Sequence, residues 1–171
     1  MKEDKQKAIQ FFASKGLDAR ALLKVQGKNP DFEIYLNGNF FAYSEVKSII
    51  KYKWLGERHP PIWNSIQNKI HEARKQFSAV NPNHSHPNIL MFLNHDSNYN
   101  WQDLYKVFNG IEPISELLAY DTRHLKRLTR SGDITEIDFI IWMDAFRDEK
   151  KPFQTVLSES NFKDQLKRQM R

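Results

Sequence analysis

The sequence predicts an α/β domain: a mixed central sheet of three antiparallel strands, then a helix and a parallel strand, flanked by helices. Three stretches carry that expectation. Residues 32–36 and 40–46 are β-rich runs on either side of Asn37-Gly38-Asn39, residue types that tolerate the positive φ of a tight hairpin turn. Residues 62–80 place Ile66, Ile70, Ala73, Phe77 and Val80 at alternating spacings of four and three, a stripe that packs one helix face on a sheet. Ile89-Leu-Met-Phe-Leu93 is an unbroken apolar run, expected for a strand buried on both faces and laid parallel to a neighbour by the helix crossover.

Composition bounds the rest. The chain has 171 residues, room for one domain with a substantial core. Hydrophobic residues make up 40% and aromatics 13%, which places it with globular rather than disordered chains. Lys plus Arg is 26 against 21 acidic residues, and the resulting charge of +5 suits a polyanionic partner without requiring one. There is no cysteine, so disulfides and thiolate metal sites are excluded. The start, Met1-Lys-Glu-Asp-Lys-Gln-Lys7, has no apolar signal core, and no apolar run approaches membrane-spanning length. A soluble, cytoplasmic protein is the expectation. No repeat, low-complexity tract or linker divides the chain, so residues 1–171 read as a single domain with helical and strand additions from about residue 97.

Residues 3–15 read as a helix with Ala8, Ile9 and Phe12 on one side and Gly16 as its C-terminal stop. A first strand is expected over 20–25, followed by the turn-rich Gln26-Gly-Lys-Asn-Pro30. The strand at 40–46 continues through Ser48-Ile-Ile50 into a segment that mixes Lys51, Lys53 and Arg58 with Tyr52 and Trp54 and stops at Pro60-Pro61. Cations with interleaved aromatics bind phosphates and stack on bases. A surface loop anchored by two partly buried aromatics competes with that reading; the position just beyond the hairpin favours substrate contact. Residues 101–110 read as a helix with Trp101, Leu104 and Phe108 inward. One or two further helices over 113–130 would pack through Leu117, Leu118, Leu125 and Leu128. Arg123, His124, Lys126, Arg127 and Arg130 cluster on 121–131, where a helix either follows a phosphate backbone or, more commonly, is a solvated amphipathic surface. Residues 137–143 supply another apolar strand and 162–171 a short basic helix.

The hairpin carries the chemistry. If its turn centres on Gly38 without a bulge, residues equidistant from Gly38 face each other and Asp31 opposes Glu45. Opposed residues project from one sheet face with Cβ atoms about 5 Å apart. Lys47 follows on that face, while Val46 points away. Two carboxylates this close repel unless a hard divalent cation lies between them. One or two carboxylates, with waters and substrate phosphate, are a common way to hold Mg²⁺, and the Val46 backbone carbonyl could add a ligand. Lys47 would remain outside the metal shell, orienting a water or stabilising phosphate charge. A solvated hairpin explains Glu-x-Lys alone; Pro-Asp, a hairpin-length gap and Glu-Val-Lys together are more specific. His84, His86 and His95 invite a second metal reading, but they do not complete a four-ligand zinc set, and a solvated loop is expected.

Pro30-Asp31 followed by Glu45-Val46-Lys47-Ser48 resembles the PD-(D/E)XK nuclease superfamily, whose restriction-endonuclease-like core runs helix, three antiparallel strands, helix, strand. The resemblance covers roughly the first 95 residues. It implies Asp31 and Glu45 as metal ligands, Lys47 as the residue that assists the water, and Mg²⁺ as cofactor with Mn²⁺ as a substitute. Some members carry a Gln on the crossover helix that reaches the active-site edge, and Ala73-Arg-Lys-Gln76-Phe77 is similar to that segment. Gln76 is therefore a candidate to hold a water or phosphate oxygen, although an exposed helix Gln is the simpler expectation from sequence. Many members also place an acidic residue on the first helix. Glu3 and Asp4 are the only candidates here, and their position at the fraying end leaves that part of the pattern unfilled.

The implied activity is metal-dependent endonucleolytic hydrolysis of phosphodiesters, with DNA the first choice of substrate. Lys51, Lys53, Arg58, Arg123, Lys126 and Arg127 would contact nucleic acid, with no membrane partner and a homodimer left open. The alternatives are an RNA-cleaving toxin-like nuclease and a catalytically inactive nucleic-acid-binding module of the same fold. The full Asp31, Glu45 and Lys47 set argues against the second. A partner-binding protein with an accidental match is a third reading, which the hairpin register and its apolar pattern disfavour.

Overall fold

In the computed structural model, residues 2–23, 29–50, 62–109, 132, 134–147, 152–156 and 161–170 are described. The first element, α1 (Lys2–Ser14), buries Ala8, Phe11 and Phe12. It ends where Gly16 takes φ +70, and the Lys15 and Gly16 N–H groups donate to the Phe12 and Ala13 carbonyls. The chain passes straight into β1 (Leu17–Ala21), earlier than the expected 20–25. Pairing explains the difference. β1 runs antiparallel to the five-residue β2 (Phe32–Leu36), from Leu17 opposite Leu36 to Ala21 opposite Phe32. The ladder ends with Leu22 N–H donating to the Asp31 carbonyl; the Leu23 carbonyl accepts only from the Asn29 side chain among the described residues, and Leu23 is 89% exposed despite its apolar neighbours.

The hairpin from β2 to β3 (Asn39–Ile49) departs from the bulge-free expectation, with a consequence for the site. Its turn is the two-residue Asn37-Gly38, with φ of 52 and 81, so Leu36 faces Asn39 and Tyr35 faces Phe40. Carried on unbroken, that register would set Glu45 on the face opposite Asp31. A bulge intervenes: between Tyr35 and Ile34 the partner steps from Phe40 to Ala42, leaving Phe41 as the extra residue. Phe41 and Ala42 consequently both pack into the core on one side of the sheet. Past the bulge Glu33 faces Tyr43 and Phe32 faces Ser44, which restores the pairing expected at the open end of the hairpin.

α2 (Ile62–Val80) has the expected bounds and buries Ile66, Ile70, Ala73 and Phe77, while Val80 at its end is only half-buried. It crosses over to β4 (Asn88–Asn94), which is buried throughout and parallel to β3. After α3 (Trp101–Asn109) the chain returns as β5 (Phe139–Asp144), parallel to β4. β6 (Phe153–Val156) then pairs antiparallel at the edge, and α4 (Lys163–Met170) closes the order. The six strands lie in sequence order across one mixed sheet. One face packs Phe32, Ile34, Met91 and Ile141 against α1 and α4; the other packs Ile49, Leu90, Phe92 and Trp142 against α2 and α3.

On α3 the inward residues are Leu104 and Val107. Trp101, expected inward, is 40% exposed and stacks on Phe153 of β6 at 4.6 Å, because the first turn of α3 overhangs the sheet edge. The Phe108 side chain, the proposed helices of 113–130 and the segment 51–61 lie outside the described residues. Among the described residues no helix is long and apolar enough to cross a membrane.

Candidate active site

The open end of the β2–β3 hairpin meets the C-terminal end of β4, beneath the first turn of α1. Asp31 directly precedes β2 and is 2% exposed. Its Oδ2 accepts a hydrogen bond from the Val46 N–H at 3.1 Å, which fixes the carboxylate beside β3. N–H and C=O of one strand residue point to the same side, so the Val46 carbonyl is turned the same way. Its side chain packs on the α1 side of the sheet, as alternation requires. Glu45, also 2% exposed, holds Oε1 at 3.1 Å from Lys47 Nζ.

Lys47 is clamped. Its Nζ donates to Gln76 Oε1 at 2.9 Å and to Glu72 Oε2 at 3.3 Å, both on α2. Gln76 is not the exposed helix residue that sequence favoured. It is 7% exposed, and its Nε2 donates to the Asn29 carbonyl at 3.0 Å, tying α2 to the turn before Asp31. The simple helical wheel missed this because Gln76 adjoins Phe77 at the margin of the apolar stripe, where the approach to β3 decides burial.

The first helix supplies Asp4, which its position at the fraying end had discounted, and Lys5, which the sequence pattern did not single out. Asp4 is 3% exposed: Ser48 Oγ donates to its Oδ2 at 2.6 Å, and His95 Nε2 meets its Oδ1 at 2.8 Å. Burial alone would raise its pKa, but the hydrogen bonds from Ser48 and His95, the His95 charge and the amino terminus outweigh that, and the carboxyl lies below its usual value. The terminal turn does not fray because β3 and the residue after β4 hold it; the His95 N–H itself donates to the Ile49 carbonyl at 2.7 Å. Lys5 reaches Asp31 Oδ1 as an ion pair at 2.8 Å. A signal for both existed. Asp4 and Lys5 stand one turn before Ala8 and two before Phe12, so they extend the buried stripe of α1.

These groups line a cavity of about 630 Å³, with Asp31, Glu45, Val46 and Lys47 on one wall and Asp4, Lys5 and His95 on another. Lys69 of α2 also borders it, whereas Gln76 acts from behind Lys47. The three histidines do not assemble. His84 pairs with the buried Asp138 at 2.7 Å and His86 packs edge-on against Phe40, far along β4 from His95. The loop is therefore pinned rather than merely solvated, because Asp138 also accepts the Asn88 N–H and needs its other lone pairs filled.

The donor set at Asp31 and Glu45 suits a hard cation: two buried carboxylates and a main-chain carbonyl, all oxygen. Among the described residues no three His, Asp or Glu side chains form a complete metal cage. Water and substrate oxygens would have to complete the coordination shell, which is the usual Mg²⁺ arrangement. Lys51, Lys53, Arg58, Arg123, Lys126 and Arg127 lie outside the described residues. Comparison with known proteins returned no matching family model, curated protein or solved structure.

Proposed function

We propose that this chain is a metal-dependent endonuclease of PD-(D/E)XK type with a restriction-endonuclease-like core, hydrolysing phosphodiester bonds in nucleic acid, DNA first. One observation carries the reading: the bulge at Phe41 puts Asp31 and Glu45-Val46-Lys47 at a single cavity, with both carboxylates buried. The order α1, β1, β2, β3, α2, β4, antiparallel through β3 and parallel at β4, supports it independently.

Asp31 and Glu45, with the Val46 carbonyl, would hold Mg²⁺ or Mn²⁺. The bound metal supplies Lewis acidity and lowers the pKa of a coordinated water. Lys47 contributes a positive charge beside the attacking water and the charge developing on phosphate, where a fixed cation acts without reorganising. Gln76 and Glu72 position that ammonium. Binding energy comes mainly from phosphate contacts, for which the net charge of +5 and the basic stretches at 51–58 and 123–127 are suited.

The test is cleavage of plasmid DNA, single-stranded DNA and transfer RNA with Mg²⁺ or Mn²⁺, with affinities measured in Ca²⁺. Asp31→Asn and Lys47→Ala should retain binding and lose cleavage by at least about a hundredfold. Excess Mg²⁺ should partly rescue the first and not the second. Equal cleavage by the parent and both variants refutes the assignment. Preferential cutting of transfer RNA moves the substrate to RNA, and binding without cleavage in either metal makes the chain a binding module.

A further inference from the structure

Two ammonium groups stand against the two carboxylates of the candidate centre, and they are held very differently. Lys47 Nζ has Glu45 at 3.1 Å, Gln76 at 2.9 Å and Glu72 at 3.3 Å, and its side chain is only 13% exposed. Lys5 Nζ meets Asp31 Oδ1 at 2.8 Å from the first turn of α1, and its side chain is 35% exposed on the cavity wall. The sequence pattern that marks Lys47 does not include Lys5.

Charge balance gives the difference a meaning. Among the described residues, Lys5 pairs with the buried Asp31 carboxylate and Lys47 with that of Glu45. Glu72 is 62% exposed and largely screened by solvent, and Asp4 is engaged by Ser48 and His95. A divalent cation on the same two carboxylates would add two positive charges within a few ångströms of both ammoniums, where repulsion is strong. One ammonium has to move. Lys47 would break three contacts inside the protein, whereas Lys5 can swing its head into water on a flexible four-carbon stem.

We infer that Lys5 is an exchangeable counter-ion for Asp31. It pairs with the buried carboxylate in the cradle, and it yields that oxygen to a divalent cation. The inference rests on the metal site proposed above. It differs in sign from a purely structural role: a fixed Lys5–Asp31 strut would make the cradle bind metal worse when removed, while an exchangeable counter-ion makes it bind better.

The experiment titrates the full chain with Mn²⁺ alone at fixed ionic strength, following free Mn²⁺ by its electron paramagnetic resonance signal. Lys5→Met and Lys5→Gln should each tighten Mn²⁺ binding by about tenfold, the lower end of what one unit charge at this range does to a neighbouring ionic equilibrium. Lys5→Arg, which keeps the charge, should bind no tighter than the parent. Melting temperature gives a second readout that also reports folding: Mn²⁺ should raise it more in Lys5→Met than in the parent. Unchanged or weaker Mn²⁺ binding in Lys5→Met and Lys5→Gln, with binding weakened by Asp31→Asn, overturns the counter-ion and leaves the metal site standing. Binding that Asp31→Asn leaves intact, or no binding by any form, overturns both.

Discussion

Replacing Gln76 by Leu tests whether the clamp on Lys47 matters to both stability and turnover. The side chain is 7% exposed and makes two hydrogen bonds, to the Asn29 carbonyl at 3.0 Å and from Lys47 Nζ at 2.9 Å. Losing the neutral bond costs about 1 kcal/mol, and losing the charged one about 1.5–3 kcal/mol. Two effects offset part of this. Lys47 keeps Glu45 and Glu72, and Leu gains apolar burial of about 1 kcal/mol. The net loss should be about 1–3 kcal/mol, or about 3–10 °C in melting temperature for a chain of this size. With one restraint gone, the ammonium samples positions about 1 Å from its seat, and such displacement costs cleavage about 10–100-fold. If the chain is the nuclease proposed above, affinity for a short duplex in Ca²⁺ should stay within about twofold, since phosphate contacts elsewhere would supply it. Gln76→Glu keeps an acceptor for Lys47 and should retain more activity than the Leu variant. Scanning fluorimetry and single-turnover cleavage measure the two effects separately. A melting temperature within about 1 °C of the parent, together with unchanged cleavage, would refute the positioning role.

Other expectations follow from the same geometry. Asp4 ionises below the usual carboxylate range in the folded chain, so its contribution to stability is present above the unfolded value of about 3.9 and lost as pH falls through the folded pKa. Asp4→Asn should therefore be destabilised near neutrality, with the gap to the parent narrowing below about pH 4 in a melting series; a gap that widens towards acid contradicts the assignment. Gly38→Ala meets no atom within 4 Å, so its cost is the φ of +81 alone, about 1–2 kcal/mol in a urea unfolding midpoint. A loss under about 0.3 kcal/mol would mean the turn tolerates a different conformation. Phe77→Ala removes a fully buried ring between α2 and the sheet and should cost about 3–5 kcal/mol in the same measurement. Affinity for duplex DNA should fall steeply with salt, and a flat dependence would remove the basic stretches from the binding surface.

The sequence by itself determined the features whose physics is local. The bounds of α2, the span of β2 and the two-sided burial of β4 follow from apolar periodicity and run length, which a single segment displays without its partners. The Pro-Asp and Glu-Val-Lys elements were legible for the same reason, as short patterns on a recognisable hairpin. Tertiary structure decided the rest, because it depended on what lay across the gap. The end of β1 was set by the length of β2, not by the apolar Ala-Leu-Leu that follows its middle. The tight turn at Asn37-Gly38 would have separated Asp31 from Glu45 had the bulge at Phe41 not returned the register, and only cross-strand pairing reveals that pair of compensating shifts. Gln76 became buried because α2 lies against both Lys47 and the Asn29 carbonyl. Asp4 and Lys5 entered the cavity because packing Ala8 and Phe12 on the sheet carries the preceding turn over the ends of β2, β3 and β4. A charged residue on a helix end gives no local sign of its counter-ion. Its partner is selected by how the helix sits on the sheet, and that is settled only when the whole core closes.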